Sequence, residues 1–182
     1  EKNIQDYRDT IPQLFWYNAL IMVSNGEDTR IGSTSAGWEH YAAWNAPEAE
    51  GDARPSLHAT IRSLCTPACL LDMVENFVLF SEERGGLAKI AAKYHQYYGV
   101  SSAIEAVRSI RETQGRLGVF WHTQGAGKSY SMLFFTQKVL RKFPGNWTFV
   151  IVTDRVELDS QIYKNFAAAG AVQEPEEQVR AG

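Results

Sequence analysis

Eight consecutive residues, His122-Thr123-Gln124-Gly125-Ala126-Gly127-Lys128-Ser129, place two glycines, a lysine and a hydroxyl at a spacing suited to a phosphorylated ligand. Gly125 and Gly127 let the backbone turn tightly enough for successive N–H groups to point inward at phosphate oxygens. The Lys128 ammonium is placed to reach β- and γ-phosphates, and the Ser129 hydroxyl to ligate Mg²⁺. One position departs from the general pattern G-x-x-x-x-G-K-[ST], because His122 stands where the first glycine is expected. The inner Gly-x-Gly-Lys carries the cradle, so the departure weakens the match only modestly. Thr123, Gln124, Gly125, Ala126, Gly127, Lys128 and Ser129 are thus the candidate contacts for a nucleoside triphosphate and Mg²⁺, with Lys128 acting on the phosphates.

Such a loop works only between the right elements. Val119–Trp121 reads as a short strand leading into it, and Tyr130–Lys142 as a helix whose positive N-terminal end faces the anion. Trp147–Thr153 is a β-rich run of the kind buried on both faces of a parallel sheet. Strand, helix and strand then form a right-handed βαβ unit, and the expected class is α/β with a parallel sheet. Asp154 is set aside as a Mg²⁺ carboxylate, because one βαβ step separates it from Lys128 and Arg155 follows it. Asp154 with Glu157 three residues on also reads as a helix-capping box.

Upstream, Asn3–Asn18 reads as a helix broken at Pro12. Ala19–Ser24 and Thr29–Ser33 read as a hairpin around Asn25-Gly26. Residues 37–55, rich in Trp, Pro, Gly, Ala and acids, read as a surface crossover. Helices are expected over Ser56–Ser63 and over Pro67–Ser81, the latter with Leu70, Val74, Phe77 and Val78 on its apolar face. Two more are expected over Leu87–Tyr98 and Ser101–Gln114. Cys65 and Cys69, the only cysteines, lack a third ligand nearby and read as two small buried residues on a helix face.

The 182 residues are 45% hydrophobic and 21% charged, which excludes wholesale disorder and fibrous repeats. The longest apolar runs are far too short to cross a bilayer, and the absence of an opening signal peptide points to the cytoplasm. The net charge of −3 hides a gradient. Residues 1–86 carry −7, residues 87–147 carry +7 and residues 148–182 carry −3. A basic middle suits a polyanion, although Arg108, Arg111, Arg141 and Lys142 read equally as a solvated helix face.

Trp121–Ser129, followed by Val152-Thr-Asp-Arg-Val-Glu-Leu-Asp-Ser-Gln161, resembles the motor region of the restriction (R) subunit of type I restriction–modification enzymes. Those subunits are superfamily 2 helicase-like, ATP-dependent translocases of double-stranded DNA fused to an N-terminal endonuclease domain. Lys93-Tyr-His-Gln-Tyr97 is similar to the family segment before the first motor motif, which implies that Gln96 reads the adenine edge. Ile11–Asn18 and Val23–Gly26 resemble the last part of the nuclease domain, where Tyr7 matches a Gln-x-x-x-Tyr element and Asn3 replaces its glutamine. The resemblance implies that Thr153, Asp154, Arg155 and Gln161 face the DNA path.

It further implies three parts: a nuclease tail over 1–45, a helical linker over 46–86, and the start of a RecA-like motor over 87–182. The implied partners are double-stranded DNA and the methyltransferase (M) and specificity (S) subunits, with no membrane, in a bacterial or archaeal cytoplasm. The nuclease acid–lysine set and the downstream Asp-Glu box are not in the sequence, so these residues alone are expected to be inactive. Two other readings keep the loop: a kinase or GTPase-like switch, or a non-catalytic domain binding only an anion. The Gln96 assignment and the absence of a base-specificity loop speak against a GTPase.

Overall fold

The computed structural model describes residues 2–45, 56–83 and 86–172 and divides into two compact units. The first comprises residues 1–79 and 88–94, the second residues 80–87 and 95–182. The class is mixed α/β.

The first unit opens with α1 (Lys2–Thr10), which stops before Pro12, and a 3₁₀ turn follows over Pro12–Phe15. The expected hairpin is present: β1 (Ile21–Ser24) pairs antiparallel with β2 (Thr29–Gly32), Met22 opposite Ile31. Its turn is held locally. The Asn25 side-chain oxygen accepts from the amides of Glu27 (3.0 Å) and Asp28 (2.7 Å), and Gly26 takes a φ of +99°. The short β3 (Ala42–Ala43) extends the sheet on the other edge of β2. There the Tyr41 ring lies so close over Gly32 that a Cβ on the glycine would meet it at 2.7 Å. Trp38 stacks on Tyr41, and the Arg30 guanidinium lies over the Trp38 ring. Burial raises the Tyr41 phenol above its ordinary value, opposed by the nearby charge of Arg8.

The helices α2 (Leu57–Leu64) and α3 (Pro67–Asn76) start at the hydroxyls of Ser56 and Thr66, which accept from the amides of Ala59 and Cys69. The helix expected over Pro67–Ser81 ends five residues early. Leu70 and Val74, expected on its buried face, are exposed, whereas Met73 and Asn76 are buried. Beyond it the burial alternates: Leu79 and Ser81 are buried, Phe80 and Glu82 exposed. That period of two makes β4 (Val78–Glu83) a strand. Likewise the start of the helix expected over Leu87–Tyr98 is β5 (Gly86–Ala91), which pairs with β4 in a two-stranded sheet. Within the first unit, the Ser35 hydroxyl accepts from the amide of Lys89 (2.6 Å) and donates to its carbonyl, while the Ala92 amide donates to Phe77. Cys65 is an exposed C-cap and Cys69 is half-buried, so the pair is not buried as expected.

The second unit carries α4 (Tyr94–Arg108), α5 (Lys128–Lys142) and α6 (Val156–Ala168). Gln96, Tyr97, Val100, Ile104 and Val107 line the buried face of α4. Leu133, Phe134 and Val139 do the same on α5, which packs against α6 through its own buried Ile162 and Phe166. Lys138 is buried too, its ammonium 5.9 Å from the Tyr97 ring centroid.

Here the structure departs most from expectation. Neither Val119–Trp121 nor Trp147–Thr153 forms a strand among the described residues, and no parallel sheet is seen. Val119, Val150 and Val152 are almost fully exposed. Strand propensity is realised only when a neighbour supplies ladder hydrogen bonds and a surface to cover the side chains. The described residues place no such neighbour beside either run.

Candidate phosphate-binding site

The loop into α5 has the shape its glycines predict. Gly125 and Gly127 both lie in the left-handed region, at φ +78° and +76°. Between them the Ala126 amide turns back to the Thr123 carbonyl at 3.3 Å. Gly127 is the N-cap of α5 and offers no side-chain cap, so the first-turn amides keep their capacity for an external acceptor. Ser129 is half-buried in that first turn, where its hydroxyl is available to a cation held against the phosphates. The Lys128 ammonium folds inward and donates to the carbonyls of His122 (2.8 Å) and Thr123 (3.0 Å). The charge therefore sits inside the loop, held by neutral acceptors that an anion outcompetes.

The start of α4 forms the other wall. Gln96 is buried and donates from its amide nitrogen to the Gly127 carbonyl at 3.0 Å. His95 reaches the Ala126 carbonyl through Nε2 at 3.0 Å. Gly127 is favoured by its backbone angle, and a Cβ there would meet the Gln96 amide at 2.7 Å and push that side chain off its place. Gly127→Ala is expected to cost about 1–2 kcal/mol in the backbone alone. It should also displace Gln96 and lower ATP affinity; a calorimetric titration with ATP beside a thermal melt measures both.

His122 occupies the missing first glycine's place and lies in a ring cluster. It is 4.4 Å from the Phe120 ring and 4.9 Å, edge-on, from the His95 ring. Desolvation holds its imidazole below the ordinary histidine range, with the charges of His95 and Lys128 acting in the same direction. Sequence reasoning missed this cluster; its only signal was the placement of His95 beside Gln96. A cavity of about 530 Å³ opens alongside, lined by Gly99, Val100, Phe120, His122, Lys128 and Met132 among others.

The remaining candidates lie elsewhere. Thr153, Asp154 and Arg155 gather at the start of α6, where Arg155 rather than Asp154 is the N-cap and no side-chain capping bond forms. The capping box expected from Asp154 and Glu157 is therefore absent. Arg155 pairs loosely with Asp154 at 3.9 Å, both side chains exposed, and the Thr153 hydroxyl donates to the Arg155 carbonyl. Gln161 is exposed one turn further along α6. Tyr7 is exposed on α1. Among the described residues, no three His, Cys, Asp or Glu side chains gather as a metal site, and no helix is long and apolar enough to cross a membrane.

Comparison with known proteins places this geometry in a class. Residues 95–181, which contain the loop and the α4 wall, match the family described as SWI2/SNF2 ATPase, so this part is ATPase-like. Residues 1–40 match the type I restriction enzyme R protein N terminus. The chain is 40% identical, over 90% of its length, to the type I restriction enzyme HindI endonuclease subunit of Haemophilus influenzae, and covers 16% of that protein. It is 31% identical, over 87% of its length, to the putative MjaIXP endonuclease subunit of Methanocaldococcus jannaschii, covering 17%. A Staphylococcus aureus endonuclease subunit is 28% identical over 87% of the chain. The chain belongs to the R (endonuclease) subunit family of type I restriction enzymes, and spans about a sixth of the relatives it matches.

Proposed function

We propose that this chain is the ATP-binding entry of a type I restriction motor, joined to the tail of its nuclease domain. The observation that carries the reading is the loop itself: two left-handed glycines, an uncapped helix start and an ammonium held inside them. The donor set suits a triphosphate, with loop and helix amides meeting its oxygens and Lys128 neutralising the β- and γ-phosphates. Mg²⁺ bound at Ser129 would supply charge neutralisation at the phosphates. Gln96, already bonded to the loop, is the candidate reader of the adenine edge, and Thr123, Gln124 and Ala126 contribute backbone.

In the whole subunit, ATP hydrolysis would drive double-stranded DNA past the nuclease, in a complex with M and S subunits in a bacterial or archaeal cytoplasm. Thr153, Asp154, Arg155 and Gln161 are the proposed DNA-side residues, and Tyr7 belongs to the nuclease tail. The division into 1–45, 46–86 and 87–182 is retained as the domain proposal. Val119–Trp121 and Trp147–Thr153 are the proposed strands of a RecA-like parallel sheet, formed once neighbouring strands pair with them. The 182 residues by themselves are proposed to bind ATP weakly, without useful turnover or DNA cleavage.

Competition binding with ATP, GTP and pyrimidine triphosphates in the presence of Mg²⁺ tests this reading. ATP is expected to bind best. A preference for GTP would contradict the role given to Gln96 and favour a switch-type NTPase, and equal binding of inorganic triphosphate would favour a simple anion site.

A further inference from the structure

Lys128 rests on the carbonyls of His122 and Thr123, and the position of those carbonyls depends on where residue 122 is held. A glycine there would leave the loop entrance free to swivel. His122 instead packs between Phe120 and His95, and its Nε2 lies 3.4 Å from where a Cβ on Gly99 would stand. The same absent Cβ would meet Phe120 at 2.5 Å, so Gly99 is the notch on α4 that admits the Phe120 ring, against which His122 packs. The Nδ1 atom of His122 is buried without a hydrogen-bond partner. We propose that His122 is a positioning residue for nucleotide capture, an aromatic wedge that seats its own carbonyl and that of Thr123 so that the Lys128 ammonium waits inside the loop.

The wedge works as a neutral ring. Protonation would put an N–H at the buried Nδ1 with no acceptor, beside the two other basic groups that face it, His95 from α4 and Lys128 from α5. A folded-state pKa held below the unfolded value contributes stability that is present above about pH 6.5 and is lost as pH falls through the folded value.

This inference rests on the ATP-binding reading, and one set of variants of the full 182-residue chain separates the two. His122→Gly, which restores the general pattern, is expected to weaken binding of a fluorescent ATP analogue by about tenfold, whereas His122→Phe, which keeps a neutral ring in the wedge, stays within about twofold of the parent. In a Lys128→Ala background, His122→Gly should add no further loss, because the wedge acts through the lysine. Gly99→Ala should weaken binding as His122→Gly does, although alanine favours the helix. Proton NMR should show the His122 imidazole titrating below the ordinary histidine range, and acid loss of melting temperature should be shallower in His122→Phe, which keeps the ring and removes the titrating group.

A His122→Gly chain that binds ATP as tightly as the parent overturns the wedge while leaving the nucleotide site intact. So does an equal loss with and without Lys128, which would mark a general folding role. If Lys128→Ala by itself changes nothing, the nucleotide reading fails and the wedge falls with it.

Discussion

Lys128→Ala is expected to weaken ATP binding by about ten- to a hundredfold, with the helical circular dichroism signal unchanged. The ammonium makes two hydrogen bonds, both to loop carbonyls and both solvent-accessible, so water replaces them in the variant at little cost to the fold. With a triphosphate present, the same group would meet anionic oxygens. Losing a charge-assisted bond of that kind costs about 1.5–3 kcal/mol. The loop amides and the α5 dipole survive the substitution, so residual binding remains. Lys128→Arg should rescue only in part, because a guanidinium donates through a rigid planar fork and does not reproduce the compact point charge of the ammonium. A titration in which Lys128→Ala stays within about twofold of the parent would reduce the loop to an unspecific anion nest.

The loop was legible because its signals are local. A glycine that must take a positive φ, a lysine after it and a helix start are each written in one or two residues, and Gly125, Gly127 and Lys128 stand as the pattern requires. The β1–β2 hairpin was legible for the same reason, since Asn25 and Gly26 make their own turn. What local pattern could not decide was the partner of each apolar run. Phe77 and Val78 satisfy a helical spacing with Leu70 and Val74, and only the alternation of burial reveals β4. The Val119–Trp121 and Trp147–Thr153 runs have strand composition, but composition does not supply a ladder. His122 read as a defect in a motif. Its packing against His95 and Gly99 joins residues more than twenty positions apart, which no window of the sequence displays.

The same contrast sets the second large effect, which is on stability. Phe134 is fully buried on α5, and Phe134→Ala should destabilise its unit by about 3–5 kcal/mol through lost burial and the cavity left behind. Val119 and Val152 are 95% and 89% exposed, so Val119→Ala and Val152→Ala should each change stability by less than about 0.5 kcal/mol. Urea unfolding measures the totals, and hydrogen exchange of the α5 amides reads this unit separately from the first. Helix-centred stability with indifferent valines means that the βαβ strands stay unpaired within these residues. If instead Val119→Ala costs as much as Phe134→Ala, the segment before the loop is already buried in solution. The phosphate loop would then spring from a formed strand, and the burial that the sequence composition asks for would be met within the 182 residues.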